Sequence, residues 1–418
     1  MSRSLLLLGL VAATACFEEP ASAPRTPAAE TSTGAADTSS GDAATGDAPS
    51  TGSVDPSTSD GASSSSEGGS SETGGGCSDD CDVRECVLAH VDASIHAVSV
   101  EPDGALTLLG ALDLAPHEHP WDAPIDGSIV RCNGGTFVAT NGSDEVSSLT
   151  TMGDELAVVG SASAPGVLEL ACDESRGLLF ALRLVSGGYA LDLMEAGASP
   201  EIIATAEYNG GGSADLRTVE LALDRDSGRA TVGHIVESTA STPIEVATGT
   251  YSTDALTLQS PTPLPVVHSD LSSLYALPQT MTVIGLGARA GADAAAFRFA
   301  IAKDGTSSNV QLVTGPPWDA RRNLWPLRVA EQPGFAMGGS QGVVLGTFGE
   351  DGEPTQSGPV LAATLTDTLA RTAHGGDVLV VVSPAGVSAH DAGAWDALDT
   401  LDAPLGEALH GAAVVPCP

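Results

Sequence analysis

The chain has 418 residues, enough for one large domain or two ordinary ones, and 42% of them are apolar. It carries 54 acidic against 16 basic residues, a net charge of -38, and Lys303 is its single lysine. That balance excludes nucleic acid as a partner, because binding there requires neutralising phosphates with Lys and Arg. Aromatic residues make up only 4%, so a core must rest on Val, Leu, Ile and Ala.

The N-terminus reads as an export signal. Arg3 gives a short positive region, and Leu5 to Val11 form an apolar run too short to span a bilayer as a helix. Ala13-Thr14-Ala15-Cys16 follows. It resembles the lipobox of bacterial lipoproteins, matching at Ala15 and Cys16 and departing at Ala13, where Leu is usual. The alternative at the same place is an ordinary A-x-A signal peptidase site. The resemblance implies removal of residues 1–15 and a diacylglycerol on Cys16, with several acyl chains holding the protein to a membrane. Cysteine parity favours it. Of seven cysteines, lipidation of Cys16 leaves six: Cys77, Cys81, Cys86, Cys132, Cys172 and Cys417. Asp, the usual inner-membrane retention signal, is absent after Cys16, where Phe17 stands; the expected location is the outer membrane of a Gram-negative bacterium.

Residues 16–76 read as a stalk. From Thr31 to Gly76 the chain is nearly all Ser, Thr, Gly, Ala, Asp, Glu and Pro, with no aromatic, Lys or Arg. Such a segment buries too little apolar surface to offset its chain entropy. A flexible linker of this length reaches about 40–45 Å on average, which holds a domain clear of a membrane.

The folded domain spans residues 77–418, and it reads as all-β and repetitive. Val87–Val100 and Thr136–Leu149 each show an apolar run, a small polar turn, then Val-Ser and another apolar residue. Val100–Leu109 continues as a hairpin around Asp103-Gly104. A further strand recurs ahead of such units, in Ser128–Asn133, Val167–Asp173 and Val219–Asp224, at a spacing of about 40–50 residues. Phe137, Val138, Asn141, Val146 and Ser147, with Ala89, Val98, Ser99 and Val100, resemble the YVTN-type β-propeller repeat. That resemblance implies a single β-propeller of seven blades, with six or eight also fitting because residues 230–330 follow the period poorly. Gly411–Cys417 resembles the first strand of a blade with no blade after it. In a closed ring it would join the blade that starts at Cys86, so a Cys86–Cys417 disulfide is expected. Cys132 and Cys172 hold equivalent positions in adjacent blades and are paired on that ground, leaving Cys77 with Cys81. This is one of fifteen connectivities. Zinc on Cys77, Cys81 and Cys86 is the competing reading, disfavoured by the acidic surroundings and the export signal.

No catalytic constellation emerges. Gly338-Gly-Ser-Gln-Gly342 matches G-x-S-x-G, but a nucleophile elbow needs a helix after the serine, and Val343–Phe348 reads as a strand. Ser340 is therefore assigned to a Gly-rich hairpin. His117-Glu-His119 with Asp122 is the weak metal candidate, because His-x-His on an extended segment can turn both rings to one side; flanking prolines make it a loop, and solvated surface residues are the competing reading. The Asp-Gly turns lack EF-hand spacing and are turn chemistry. Trp121, Trp318, Trp325 and Trp395 are assigned to packing. No cofactor is expected. Two functions stay open: a monomeric binding or scaffold module, with a protein or glycan ligand and a membrane contact through Cys16, or a lactonase-like propeller hydrolase acting on a sugar lactone or ester. The first is preferred, because basic residues for an anionic-substrate site are scarce.

Overall fold

Short alternating strands dominate because β-branched and small apolar residues alternate with polar ones, and Gly, Asn and Asp break the runs. The computed structural model describes residues 84–417 except 119–126, 153–154, 210–215, 237–242, 268–270, 272, 278–281, 290–291, 303–305, 314–320, 330–331, 340–341, 349–353 and 357–367. The expectations for Cys16, the stalk, Cys77, Cys81, His119, Trp121, Asp122, Trp318 and Ser340 lie outside the described residues.

The strands form seven antiparallel sheets, which are seven propeller blades. Blade 1 comprises β1 (Glu85–Val91), β2 (Ser94–Val100) and β3 (Leu106–Asp113). Blade 2 is β4 (Ile129–Cys132), β5 (Gly135–Thr140), β6 (Glu145–Met152) and β7 (Glu155–Ser163). Blade 3 is β8 (Val167–Asp173), β9 (Leu178–Val185), β10 (Gly188–Glu195) and β11 (Glu201–Asn209). Blade 4 is β12 (Leu216–Asp224), β13 (Arg229–Val236), β14 (Pro243–Tyr251) and β15 (Leu256–Leu258), with β16 (Thr262–Val267) added on β14. Blade 5 is β17 (Ser273–Leu277), β18 (Thr282–Arg289), β19 (Ala292–Ile301) and β20 (Ser307–Val313). Blade 6 is β21 (Arg321–Val329), β22 (Gln332–Gly339), β23 (Gly342–Phe348) and β24 (Pro354–Gln356). Blade 7 is β25 (Leu369–Ala373), β26 (Val378–Ser383), β27 (Gly386–Asp391) and β28 (Ala397–Leu401). The last strand, β29 (Leu409–Pro416), returns to β1 and completes blade 1 as its innermost strand. The extra strand β16 explains why the period weakens in the middle of the chain: it lengthens blade 4 without adding a blade.

Closure is covalent. Cys86 and Cys417 form a disulfide with 4.8 Å between their Cα atoms, and Cys132 and Cys172 form another, across blades 2 and 3, at 5.5 Å. Apolar clusters fill the spaces between neighbouring blades rather than one central core. Phe180, Leu182, Tyr189, Leu221 and Val232 pack blade 3 on blade 4, and Cys132, Phe137, Leu170 and Leu179 pack blade 2 on blade 3. Each fully buried Phe or Leu contributes about 1.5–3 kcal/mol by leaving water. Outer strands β3, β7, β11 and β28 each carry a register shift against their neighbour. Such bulges twist an exposed edge away from pairing with other chains.

The inner strands β29, β4, β8, β12, β17, β21 and β25 run side by side around the ring. Their directions agree: Gly411 at the start of β29 lies against Ser128 and Ile129 at the start of β4, and Cys132 at the end of β4 bonds Cys172 near the end of β8. We call the face where the inner strands start the upper face. Both disulfides sit toward the lower one.

Candidate functional site

The lower face is built from turns that lock blades together. Asp173, sealed from solvent, accepts hydrogen bonds from Ser175 Oγ at 2.6 Å, from Tyr251 OH of blade 4 at 3.0 Å, and from Arg176. These three donors hold its carboxyl below the usual carboxylate range even though burial acts the other way. Arg176 also donates to the Arg225 carbonyl. The next blade repeats the turn, with Ser227 Oγ donating to Asp224. Between blades 7 and 1, His374 adopts φ 50° and its backbone N–H donates to Glu85, while its Nε2 lies 2.7 Å from the Val100 carbonyl. Arg371 Nε donates to the Ala412 carbonyl at 2.8 Å, joining inner strands β25 and β29.

The upper face gathers different chemistry at the junction of blades 1 and 2. His90 at the end of β1, His117 in the loop after β3, and His410 at the start of β29 come together, with ring centres 5.6, 5.3 and 5.3 Å apart. His90 and His117 are buried and His410 is half-buried. Three separate devices place them. His90 Nδ1 lies 2.9 Å from Ser128 Oγ of blade 2. The loop carrying His117 is stitched to the β5–β6 turn on both sides of the histidine: Gly142 N–H donates to the Pro116 carbonyl at 2.9 Å, Glu118 N–H donates to Asn141 Oδ1 at 2.7 Å, and Asn141 Nδ2 returns to the Glu118 carbonyl. His410 follows a segment clamped by Asp92, whose carboxylate accepts from the backbone N–H groups of Glu407 and Ala408, each at 2.9 Å. Asp92 itself adopts φ 52°, a turn geometry that Asp tolerates.

Two glycines allow this close approach. A Cβ on Gly411 would lie 2.5 Å from Ser128 Oγ, and one on Gly406 would lie 2.3 Å from Asp92 Oδ2. Burial pushes the His90 imidazole well below its ordinary value, and the neighbouring rings of His117 and His410 push it further the same way. His410 is also lowered by burial, with Asp92 opposing.

A second histidine lies between blades 3 and 4. His234 is buried against Tyr189 and Tyr208, with ring centres 5.3 and 5.1 Å away. Burial pushes it down to about 4, although the Glu245 carboxylate stands 3.3 Å from its Nε2.

Of the sequence candidates, His117 is part of the upper cluster. His90 and His410 were not singled out, because they are 320 residues apart and only ring closure brings them together; their apolar flanks read as strand and nothing more. Gly339 of β22 pairs with Gly342 of β23, so strands flank the G-x-S-x-G serine on both sides. Trp395, at φ 63° between β27 and β28, packs against the apolar cluster of blades 7 and 1. Among the described residues, no group of three or more His, Cys, Asp or Glu side chains could hold a metal ion.

No family model matches the chain, and no curated protein sequence does. Solved structures show the fold. A Lactobacillus plantarum protein aligns at a TM-score of 0.55 and 16% identity, covering 79% of this chain and 99% of that one. The periplasmic gluconolactonase PpgL of Pseudomonas aeruginosa aligns at 0.54 and 12%, covering 80% and 100%. The chain thus has the propeller fold of lactonase-like proteins; at these identities the likeness concerns fold and not activity.

Proposed function

We propose that this protein is an exported, membrane-tethered β-propeller that binds its ligand on the upper face of the ring. One observation carries the reading: three histidines from three distant segments are each held in place there by their own hydrogen-bonded turn. The lower face, by contrast, uses its polar groups to join blades. Two charged inner-strand side chains that are described serve the ring itself. Glu169 accepts the Leu221 N–H at 3.1 Å, and Arg371 donates to two backbone carbonyls. The sequence at Ala13–Cys16 supports lipid attachment through Cys16, and two disulfides suit an oxidising compartment. The acidic stalk then presents the ring away from the bilayer.

Two measurements test this. Palmitate labelling of the expressed chain should disappear in Cys16→Ala; labelling that persists removes the tether. The purified chain should not accelerate gluconolactone hydrolysis above the buffer rate; turnover that saturates with substrate would replace the binding reading with the lactonase-like one.

A further inference from the structure

We propose that His90, His117 and His410 form an acid-sensitive latch. Near neutral pH it closes the upper end of the junction between blades 1 and 2; in acid it frees the loop carrying His117 and the segment that leads into β29. The inference rests on the reading of the upper face as the binding surface and gives that surface its regulation.

The latch sits at a break in the strand ladder. β29 and β1 pair in step from Val415 with Cys86 up to Gly411 with His90. There the register slips: Leu409 pairs with Val91, and His410 is the extra residue. Such a bulge leaves its residue unpaired and interrupts the ladder. Below the slip, the Cys86–Cys417 disulfide ties the same two strands together. Above it, the segment before β29 is held by Asp92, through its carboxylate and through its N–H, which donates to the Ala408 carbonyl at 2.9 Å. The loop carrying His117 lies outside any strand and is joined to blade 2 through Asn141 and Gly142. An opening at the upper end therefore breaks few hydrogen bonds and leaves the ring closed below.

The cluster is built for neutral rings. His90 is sealed from solvent; its Nδ1 meets Ser128 Oγ, and its Nε2 has no hydrogen-bond partner. In either tautomer, a second proton creates a buried cation with an N–H that finds no acceptor. The groups facing His90 are His117 from the loop after β3 and His410 from β29, with uncharged Ser128 from blade 2 and uncharged Ile95 opposite it on β2. His410 faces Asp92, and so does His96 of β2, but that carboxylate already accepts two backbone N–H groups. Glu118, Asp144 and Glu407 on the neighbouring turns are exposed. Ring centres 5.3 and 5.6 Å apart set any two charged imidazoles against each other. Burial, with the rings of His117 and His410, holds His90 well below its ordinary value; burial lowers His410 too, against the pull of Asp92. Freed into water, both return to about 6.5. The closed form thus binds fewer protons than the open one. Its advantage is complete above about pH 6.5 and is lost as pH falls toward the lowered values.

The test is amide hydrogen exchange of the full chain at pH 7 and pH 5, corrected for the intrinsic pH dependence of exchange. Two amides report the latch: Gly142 N–H, bonded to the Pro116 carbonyl, and Glu118 N–H, bonded to Asn141 Oδ1. Neither acceptor titrates. Their protection should fall about 10-fold or more from pH 7 to pH 5, while Cys417 N–H, bonded to the Arg84 carbonyl at the lower end, changes less than about 2-fold. The imidazole shifts of His90 and His410 should titrate with the same midpoint as the loss of protection. His410→Asn changes a half-buried residue, and its fold is checked by circular dichroism; it should cut the fall to under about 3-fold. His234→Gln, outside the cluster, should leave the fall unchanged. Equal protection at both pH values overturns the latch. So does an equal fall at Cys417, which is general acid unfolding, or the full fall in folded His410→Asn, which moves the effect to another group such as Asp92. None of these outcomes touches the tether or the non-hydrolytic reading, which the labelling and lactone assays decide.

Discussion

The two faces of the ring solve opposite problems with similar residues. On the lower face, polar side chains reach from one blade to a neighbour and find partners there: Asp173 to Tyr251, His374 to the Val100 carbonyl, Arg229 to the Ala302 carbonyl. Both disulfides lie on that side. On the upper face, hydrogen bonds hold the backbone around His117 and His410, and the imidazole rings pack edge-on and tilted against one another. The comparison teaches that a histidine packed between blades is not informative alone. His374 closes a ring, His234 packs between tyrosines, and His90 joins a cluster. What separates them is which groups the fold carries to the same place.

The largest effect should come from opening the lower face. Replacing Cys86 and Cys417 by Ser frees a loop of 331 residues in the unfolded chain, against 40 for Cys132 and Cys172. Loop-closure entropy then predicts a loss of about 2–5 kcal/mol, greater for the first pair than the second, read as the midpoint of chemical denaturation. Equal losses would mean that ring closure is carried by strand pairing of β29 with β1 and not by the bond.

Asp173→Ala comes next. It leaves Ser175, Tyr251 and Arg176 without their shared acceptor, at a cost of about 2–4 kcal/mol. In the parent chain the Asp173 carboxyl is depressed, so its contribution is full above about pH 4 and fades as pH falls through the folded value. The variant should lose that part of the acid dependence.

A third measurement separates His234 from the cluster. Its folded value of about 4 lies under the ordinary 6.5, so the folded chain binds fewer protons than the unfolded one between them. Its contribution is complete above about pH 6.5 and is lost as pH falls toward 4, on the order of 3 kcal/mol. Denaturation of His234→Gln should be flatter across that window than the parent; identical slopes would show that Glu245 compensates.

The smallest change is aimed at the upper face. Gly411→Ala places a methyl group against Ser128 Oγ, which must move and take His90 with it. Stability should fall by about 1–3 kcal/mol from overpacking, while lower-face variants of similar cost leave the histidine cluster intact. Imidazole chemical shifts of His90 and His410 would report the difference.

Much of the fold could be read from the chain. The Asp103-Gly104 hairpin, the Val-Ser segments and the recurrence of inner strands at Ser128, Val167 and Val219 are local signals, because strand alternation and turn chemistry act over a few residues. The C-terminal strand and its Cys417 could be placed through the ring they complete. The candidate site was legible only at His117. His90 and His410 became neighbours through β29 pairing with β1, and His117 joined them through Asn141 in another blade. Sequence by itself determined the strands and much of their period, since each repeats a local pattern. Only the tertiary structure decided which histidines meet, because that depends on ring closure, which no window of sequence contains.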